Sequence, residues 1–156
     1  MKIQTIRKAT QTIKSSDAQS AINNNMLRTL AENQRINSFK RENRTLFEVE
    51  ILRDDINVMF GLGKGKDFPR VRSIHDAYTE LRTSNPELGI SEERIRFLIK
   101  KQKIPFIKIG NRAYVALETF EPPFDLCLIY DDYLDSREAI IKQEALEEFA
   151  KRRKKR

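Results

Sequence analysis

Residues 89–115 read GISEERIRFLIKKQKIPFIKIGNRAYV, and this stretch decides the fold that the sequence predicts. Ser91 is placed to cap a helix, because its hydroxyl can accept a hydrogen bond from a backbone N–H two or three residues later. Apolar residues then recur at helical spacing and give the helix one apolar face: Ile95, Leu98 and Ile99. Beyond Pro105, which cannot continue a helix, the period changes to two, and Gly110-Asn111 supplies a tight turn. The stretch therefore predicts a helix followed by a β-hairpin.

Cationic residues accompany this helix and hairpin, and a shorter helix is predicted before them at 73–82. The arrangement is a winged helix-turn-helix, and Ser73–Phe120 resembles the excisionase-type branch of the MerR-like winged-helix superfamily. The resemblance is carried by the order of the short helix, "GIS" opening the second helix, and "KKQKIPFIKIGNR" leading into the wing. It implies a protein that binds double-stranded DNA, with the second helix in the major groove and the wing against the minor groove or backbone. A winged helix that contacts only protein is the alternative.

The same pattern occurs earlier in the chain. Residues 2–52 align with residues 70–120 at an offset of 68 without a gap, and twelve positions are identical. We therefore predict two tandem winged helix-turn-helix copies, copy 1 at 2–52 and copy 2 at 70–120. The join at 53–69 is predicted to be a linker. Within it we expect a helical or buried stretch that contains Ile56, Val58, Met59 and Phe60, followed by a flexible connector at 61–66. The fold class expected for the chain is α+β, mainly α, with a C-terminal helix.

Copy 1 departs from the pattern at two places. Asn23 takes the cap position, and Asn24 and Asn25 replace two glutamates at the end of the helix that approaches base edges. Asparagine can bond adenine bidentately, whereas glutamate accepts from cytosine N4, so the two helices would read different bases. The alternative is that these asparagines only cap the helix. The first wing, KRENR at 40–44, lacks a glycine, and we expect a wider turn there.

The second helix of each copy is expected to face the major groove, and each wing to hold phosphates or enter the minor groove. The predicted DNA-binding residues of copy 1 are Asn23, Asn24, Asn25, Arg28, Lys40, Arg41, Asn43 and Arg44. Those of copy 2 are Ser91, Arg94, Arg96, Lys100, Lys108, Asn111 and Arg112. The charge distribution agrees, since copy 1 has nine basic and five acidic residues and copy 2 has ten and six, in a chain of net charge +7.

The C-terminal segment, residues 121–156, has a different character. A helix is predicted from about Asp135 to Lys151, and residues 121–150 hold two basic and nine acidic side chains. We expect this acidic helix to dock on a wing domain, to pair with another subunit, or to recruit an integrase, motor or replication protein. The tail KRRKKR at 151–156 would add nonspecific phosphate affinity, with a nuclear-import signal as the alternative.

Catalytic and cofactor signatures are missing from the sequence. His75 and Cys127 stand alone, which excludes a zinc site, a Cys–His nucleophilic pair and an internal disulfide. The segment GLGKGK at 61–66 lacks the spacing and hydroxyl of a Walker A loop. We therefore expect a protein that is not an enzyme, holds no metal or cofactor and lies in the cytoplasm, associated with the nucleoid and without a membrane segment.

The function that the sequence favours is sequence-specific binding of double-stranded DNA by a transcriptional regulator or an excisionase-like architectural factor of a mobile element. One alternative is a DNA-packaging or replication initiator subunit that marks a DNA site and recruits an enzyme through residues 121–156. Another is an RNA- or ribosome-binding factor. A homo-oligomer is compatible with each of these functions.

Overall fold

The computed structural model describes residues 2–121, Phe124 and residues 141–152. The chain is α+β and divides after residue 122 into two compact units, the second of which contains the helical residues 141–152. Cys127, the predicted start of the C-terminal helix near Asp135, and residues 153–156 of the basic tail lie outside the described residues.

Copy 1 contains one small antiparallel sheet and three helices. In chain order its elements are β1 (Ile3–Thr5), α1 (Ile6–Ser16), α2 (Asn24–Glu32), β2 (Phe39–Arg41), β3 (Arg44–Glu48) and α3 (Val49–Met59). The sheet has the order β1-β3-β2. Phe47 on β3 is fully buried, so one face of the sheet packs into the core beneath α1 and α2.

Copy 2 repeats this order of elements. They are β4 (Val71–Ser73), α4 (Ile74–Ser84), α5 (Glu92–Lys100), β5 (Ile107–Ile109) and β6 (Arg112–Ala116), with 3-10 helices at Pro86–Leu88 and Leu117–Phe120. Each strand and each α-helix from β4 to β6 begins and ends 68 residues after its counterpart in copy 1, and the sheet order β4-β6-β5 matches as well. The sequence repeat is therefore also a repeat of element boundaries. The 3-10 helix Leu117–Phe120 follows β6 at the place where α3 follows β3.

The starts of the two second helices agree with the sequence prediction. The side-chain oxygen of Asn23 accepts a hydrogen bond of 2.9 Å from the backbone N–H of Met26. The hydroxyl of Ser91 accepts one of 3.2 Å from the backbone N–H of Arg94. Each cap satisfies a helix donor that has no partner within the helix, so both residues are confirmed as N-caps.

The first wing does not have the wider turn that was predicted. Arg41 pairs with Arg44 across the hairpin as Ile109 pairs with Arg112, so both turns contain two residues. In copy 1 these are Glu42 and Asn43, with φ angles of 52° and 65°. Pairing of β2 with β3 thus holds two residues in the left-handed region without a glycine, since asparagine tolerates this region and glutamate adopts it at a cost.

The connector between the copies is not free of the folded structure, contrary to the expectation of a flexible segment. Helix α3 extends into the predicted linker as far as Met59. The carboxylate of Asp54 accepts from the backbone N–H of Gly65 at 3.0 Å, and the buried Asn57 donates to the carbonyls of Lys66 and Asp67. Three backbone groups of the connector region are therefore held by α3.

The two copies pack against each other through a shared core. The copy 2 residues Val71, Ile107 and Ala116, all on one face of its sheet, belong to the same buried cluster as the copy 1 core. The backbone N–H of Ala21 also donates to the carbonyl of Val71 at 2.9 Å. Copies 1 and 2 therefore form one packed unit instead of two domains on a tether.

Candidate nucleic-acid interface

A groove of about 380 Å³ in copy 1 brings together residues that are far apart in the sequence. It is lined by side chains from the start of α1, the start of α2 and the wing: Thr5, Ile6, Arg7, Asn24, Arg28, Asn43, Arg44 and Thr45. Four of the eight predicted DNA-binding residues of copy 1 are in this set. The fold thus places the second helix and the wing on the two sides of one groove.

The order of strands explains this convergence. Strand β1 pairs with β3, the second strand of the wing hairpin, and Thr5 lies opposite Leu46. Helix α1 starts directly after β1, and the Thr5 hydroxyl caps it by accepting from the N–H of Lys8. The first turn of α1 therefore lies next to the base of the wing. Arg7, which sequence analysis did not select, enters the groove for this reason.

The groove is electropositive. Its lining includes Arg7, Arg28 and Arg44 and no carboxylate, and each of these three residues is exposed. Among the residues that the structure describes, none of the three arginines forms an ion pair with an acidic side chain. Helices α1 and α2 both begin at the groove and have no acidic residue in their first turns. Because helix N-termini carry partial positive charge, these features together favour an anionic ligand.

The other predicted residues of copy 1 lie outside the groove lining. The side-chain oxygen of Asn23 is engaged in capping α2. Asn25, Lys40 and Arg41 are exposed on α2 and on the wing strand β2.

The corresponding region of copy 2 has different electrostatics. The carboxylate of Glu92, at the first position of α5, is hydrogen-bonded to Nδ1 of His75 in the first turn of α4. Its other oxygen lies 3.5 Å from the guanidinium of Arg96. The guanidinium of Arg94 donates to the carbonyl of Gly89 in the preceding loop. Two of the arginines predicted to face the major groove thus have partners within copy 2.

The remaining predicted residues of copy 2 divide between the ends of the domain. Lys108, Asn111 and Arg112 are exposed on the wing. Lys100 is exposed at the last position of α5, roughly 12 Å along the helix from Glu92 at 1.5 Å per residue. Lys100 therefore lies at the opposite end of α5 from Glu92 and its contact with His75.

A buried ionic contact joins the two copies. Arg72 on β4 is 4% exposed, and its Nη2 donates to Oδ1 of Asp17 at 2.8 Å while Nε donates to Oε2 of Glu80 at 3.0 Å. Burial alone would lower the pKa of this guanidinium, but the hydrogen bonds to the two carboxylates outweigh it and raise the pKa. Arg72 therefore stays charged and holds the end of α1 against copy 2.

The sequence contains a trace of this contact. Arg72 and Glu80 align with Gln4 and Thr12 of copy 1, which form a neutral hydrogen bond of 2.8 Å between their side chains. The same strand-to-helix contact is thus neutral in copy 1 and ionic in copy 2. The guanidinium of Arg72 also pairs with the carboxylate of Asp17. Aligning the two copies with each other could not have indicated this partner.

Within residues 2–121 and 141–152, no helix combines the length and low polarity that crossing a bilayer requires. In the same part of the chain, no three His, Cys, Asp or Glu side chains gather where they could hold a metal ion. Comparisons of the chain with protein-family models, with curated proteins and with solved structures find no match.

Proposed function

We propose that this chain binds double-stranded DNA sequence-specifically through two linked winged helix-turn-helix copies, with the groove of copy 1 as a principal contact. The observation that carries the proposal is the groove itself. Three exposed arginines and two helix N-termini converge there, and residues selected separately from the helix and wing patterns line it. Duplex DNA presents a regular array of phosphates that such a surface can neutralise.

Base reading is assigned to the second helix of copy 1. Asn24 and Arg28 are four residues apart, so they lie on the same side of α2, and both line the groove. Asparagine can bond adenine N6 and N7, and arginine can bond guanine O6 and N7. In this proposal Arg7 and Arg44, which line the same groove, hold phosphates beside the helix and so fix its register on the duplex.

The packing of the copies adds a geometric restriction. Shared core residues, the Asp17–Arg72 ion pair and the tied connector hold the copies at one separation. A duplex that contacts both copies must then present its two half-sites at one spacing. This differs from a flexible tandem, which would accept a range of spacings at the effective concentration set by its linker.

The proposal is tested by selecting bound duplexes from a random pool and measuring affinity for the selected sequence. A structured RNA of equal length, at the same salt concentration, serves as competitor. We expect the selected duplex to bind more tightly than either random duplex or RNA, by a factor of 10³ or more for specific over nonspecific duplex. Equal or tighter binding of the RNA would favour the RNA-binding alternative and reject the proposal.

A pair of arginine variants localises the contact. Arg28→Ala should weaken binding to the selected duplex by roughly 1–3 kcal/mol, because it removes one base contact. Arg35→Ala removes an exposed arginine of the same copy that does not line the groove, and it serves as the control. Equal losses in both variants would show that charge alone, and not the groove, determines affinity.

A transcriptional regulator or an excisionase-like architectural factor of a mobile element is the role that we propose for this activity. Support for it comes from the order of helix, helix and wing in Ser73–Phe120. Mapping the selected sequence relative to promoters and recombination sites distinguishes the two roles.

A further inference from the structure

The two copies differ in the charge of the first residue of the second helix. Asn24 of copy 1 corresponds to Glu92 of copy 2, and each is the first residue of its second helix. Arg7 likewise corresponds to His75, whereas Arg28 and Arg96 are the same residue type. The repeat therefore offers an internal comparison in which the second helix begins with an amide in copy 1 and with a carboxylate in copy 2.

The carboxylate of Glu92 is placed so that it opposes phosphate binding. One of its oxygens is hydrogen-bonded to His75, and the other is ion-paired with Arg96 at 3.5 Å. A phosphate that approached Arg96 would have to displace Glu92 or accept its repulsion. The counterpart arginine in copy 1, Arg28, has no acidic partner among the described residues.

We propose that Glu92 determines specificity by suppressing nonspecific phosphate binding at the start of α5, so that Arg96 adds less to the electrostatic part of DNA affinity than its counterpart Arg28 does. The inference rests on the proposed DNA-binding function. Specificity is a difference between two affinities, and a charge that repels the wrong contact raises it without strengthening the right one. The second helix of copy 2 then binds where a base edge donates a hydrogen bond to the carboxylate of Glu92. The N4 amino group of cytosine is such a donor.

The expected magnitude follows from counterion release. Each phosphate that a protein neutralises changes the slope of log affinity against log salt concentration by about 0.9. Releasing Arg96 from Glu92 should therefore steepen the slope by about one unit. Relative to 1 M salt, one such contact raises affinity at 0.1 M salt on the order of tenfold.

The test uses reciprocal exchange in the full chain. Glu92→Asn gives copy 2 the residue of copy 1, and Asn24→Glu does the reverse. Dissociation constants are measured by fluorescence anisotropy on the selected duplex and on a random duplex, over a series of salt concentrations. Glu87→Gln is the control for Glu92→Asn. It also removes one carboxylate of copy 2, but Glu87 is exposed and lies outside the contacts that Glu92 makes with His75 and Arg96.

We expect Glu92→Asn to bind the random duplex about tenfold more tightly at 0.1 M salt, with a steeper slope and a smaller ratio of specific to nonspecific affinity. Asn24→Glu should lose about tenfold on the random duplex. Equal behaviour of Glu92→Asn and Glu87→Gln, with the wild type still preferring duplex DNA, would overturn this inference and leave the proposed function standing. A wild type that prefers RNA would overturn both. Circular dichroism checks folding, and Glu92→Gln, which keeps the side-chain length, replaces Glu92→Asn if that variant fails to fold.

Discussion

The buried ion pair between the copies leads to the prediction that the structure supports most directly. Arg72 donates two hydrogen bonds to Asp17, one to Glu80 and one to the carbonyl of Val71. Replacing it by alanine leaves two carboxylates without their partner at side-chain exposures of 13% for Asp17 and 30% for Glu80. Removing one member of a buried pair costs about 3–5 kcal/mol. Because solvent partly compensates Glu80, we expect Arg72→Ala to lower the free energy of unfolding by about 3 kcal/mol.

The measurement is urea denaturation followed by far-ultraviolet circular dichroism. Asp17→Ala should cost less, about 2 kcal/mol, since Arg72 keeps its hydrogen bond to Glu80. The double variant should cost about 1–2 kcal/mol less than the sum, because both substitutions remove the same contact. Arg82→Ala is the control, because this arginine of copy 2 is exposed, lies over the Tyr78 ring at 5.3 Å and donates a long, exposed hydrogen bond of 3.4 Å to the Tyr78 hydroxyl.

A cost for Arg72→Ala no larger than that for Arg82→Ala, or strict additivity in the double variant, would refute the reasoning. The shape of the wild-type transition is equally informative. One core cluster contains residues of both copies, so residues 2–121 should unfold in a single cooperative step. Two separated transitions would show that the copies are stable without each other.

Three further predictions concern the wings and the connector. Arg112→Ala should reduce the slope of log affinity against log salt concentration by about 0.9 for any duplex sequence, and an unchanged slope would remove this residue from the DNA backbone. Glu42→Gly should raise the free energy of unfolding by about 1 kcal/mol, because glycine adopts a φ of 52° without the strain that glutamate has there. Gly110→Ala, at the equivalent position of copy 2, should lower it by a similar amount, and urea denaturation measures both. Gly61→Ala should destabilise by about 2 kcal/mol in the same assay, because its φ is 69° and the added Cβ would lie 3.3 Å from the Pro105 ring; a neutral effect would mean that this turn can relax.

Local chemistry explains which parts of the fold the sequence could predict. The caps at Asn23 and Ser91, the helical apolar periodicity and the Gly110-Asn111 turn depend on neighbouring residues, so they can be recognised in the sequence. The register of the repeat follows from the gapless offset, and the strand pairings reproduce it. The turn at Glu42 could not be predicted in this way, because the strands impose a conformation that glutamate does not favour.

Tertiary contacts were beyond what the sequence indicates. Arg7 belongs to the groove only because β1 lies beside β3. His75 and Glu92 are seventeen residues apart, and nothing in either segment indicates that they meet. The packing of copy 2 on copy 1 was missed for a similar reason. A glycine-containing connector resembles a tether in sequence, and only the positions of Asp54 and Asn57 on α3 show what holds it.

The head-to-tail packing also explains where the copies had to diverge. Val71 and Ile107 are buried against copy 1, whereas no described part of the chain covers their counterparts Ile3 and Phe39, which are 48% and 43% exposed. Interface positions therefore differ between the copies for reasons of packing. Six exposed positions are identical in the two copies, and four of them, on the second helix and the hairpin, need another explanation: Arg28 with Arg96, Lys40 with Lys108, Asn43 with Asn111 and Arg44 with Arg112.

These exposed pairs contribute nothing to the core, and a common ligand accounts for them more directly than stability does. Duplex DNA is such a ligand, because its repeating backbone can offer phosphates in the same way to both copies. In the proposed function, the exchange of Asn24 for Glu92 within this otherwise shared set corresponds to a difference in what the two copies read. If Glu92→Asn leaves the salt dependence and the specificity ratio unchanged, the shared cations and the divergent carboxylate must be explained separately.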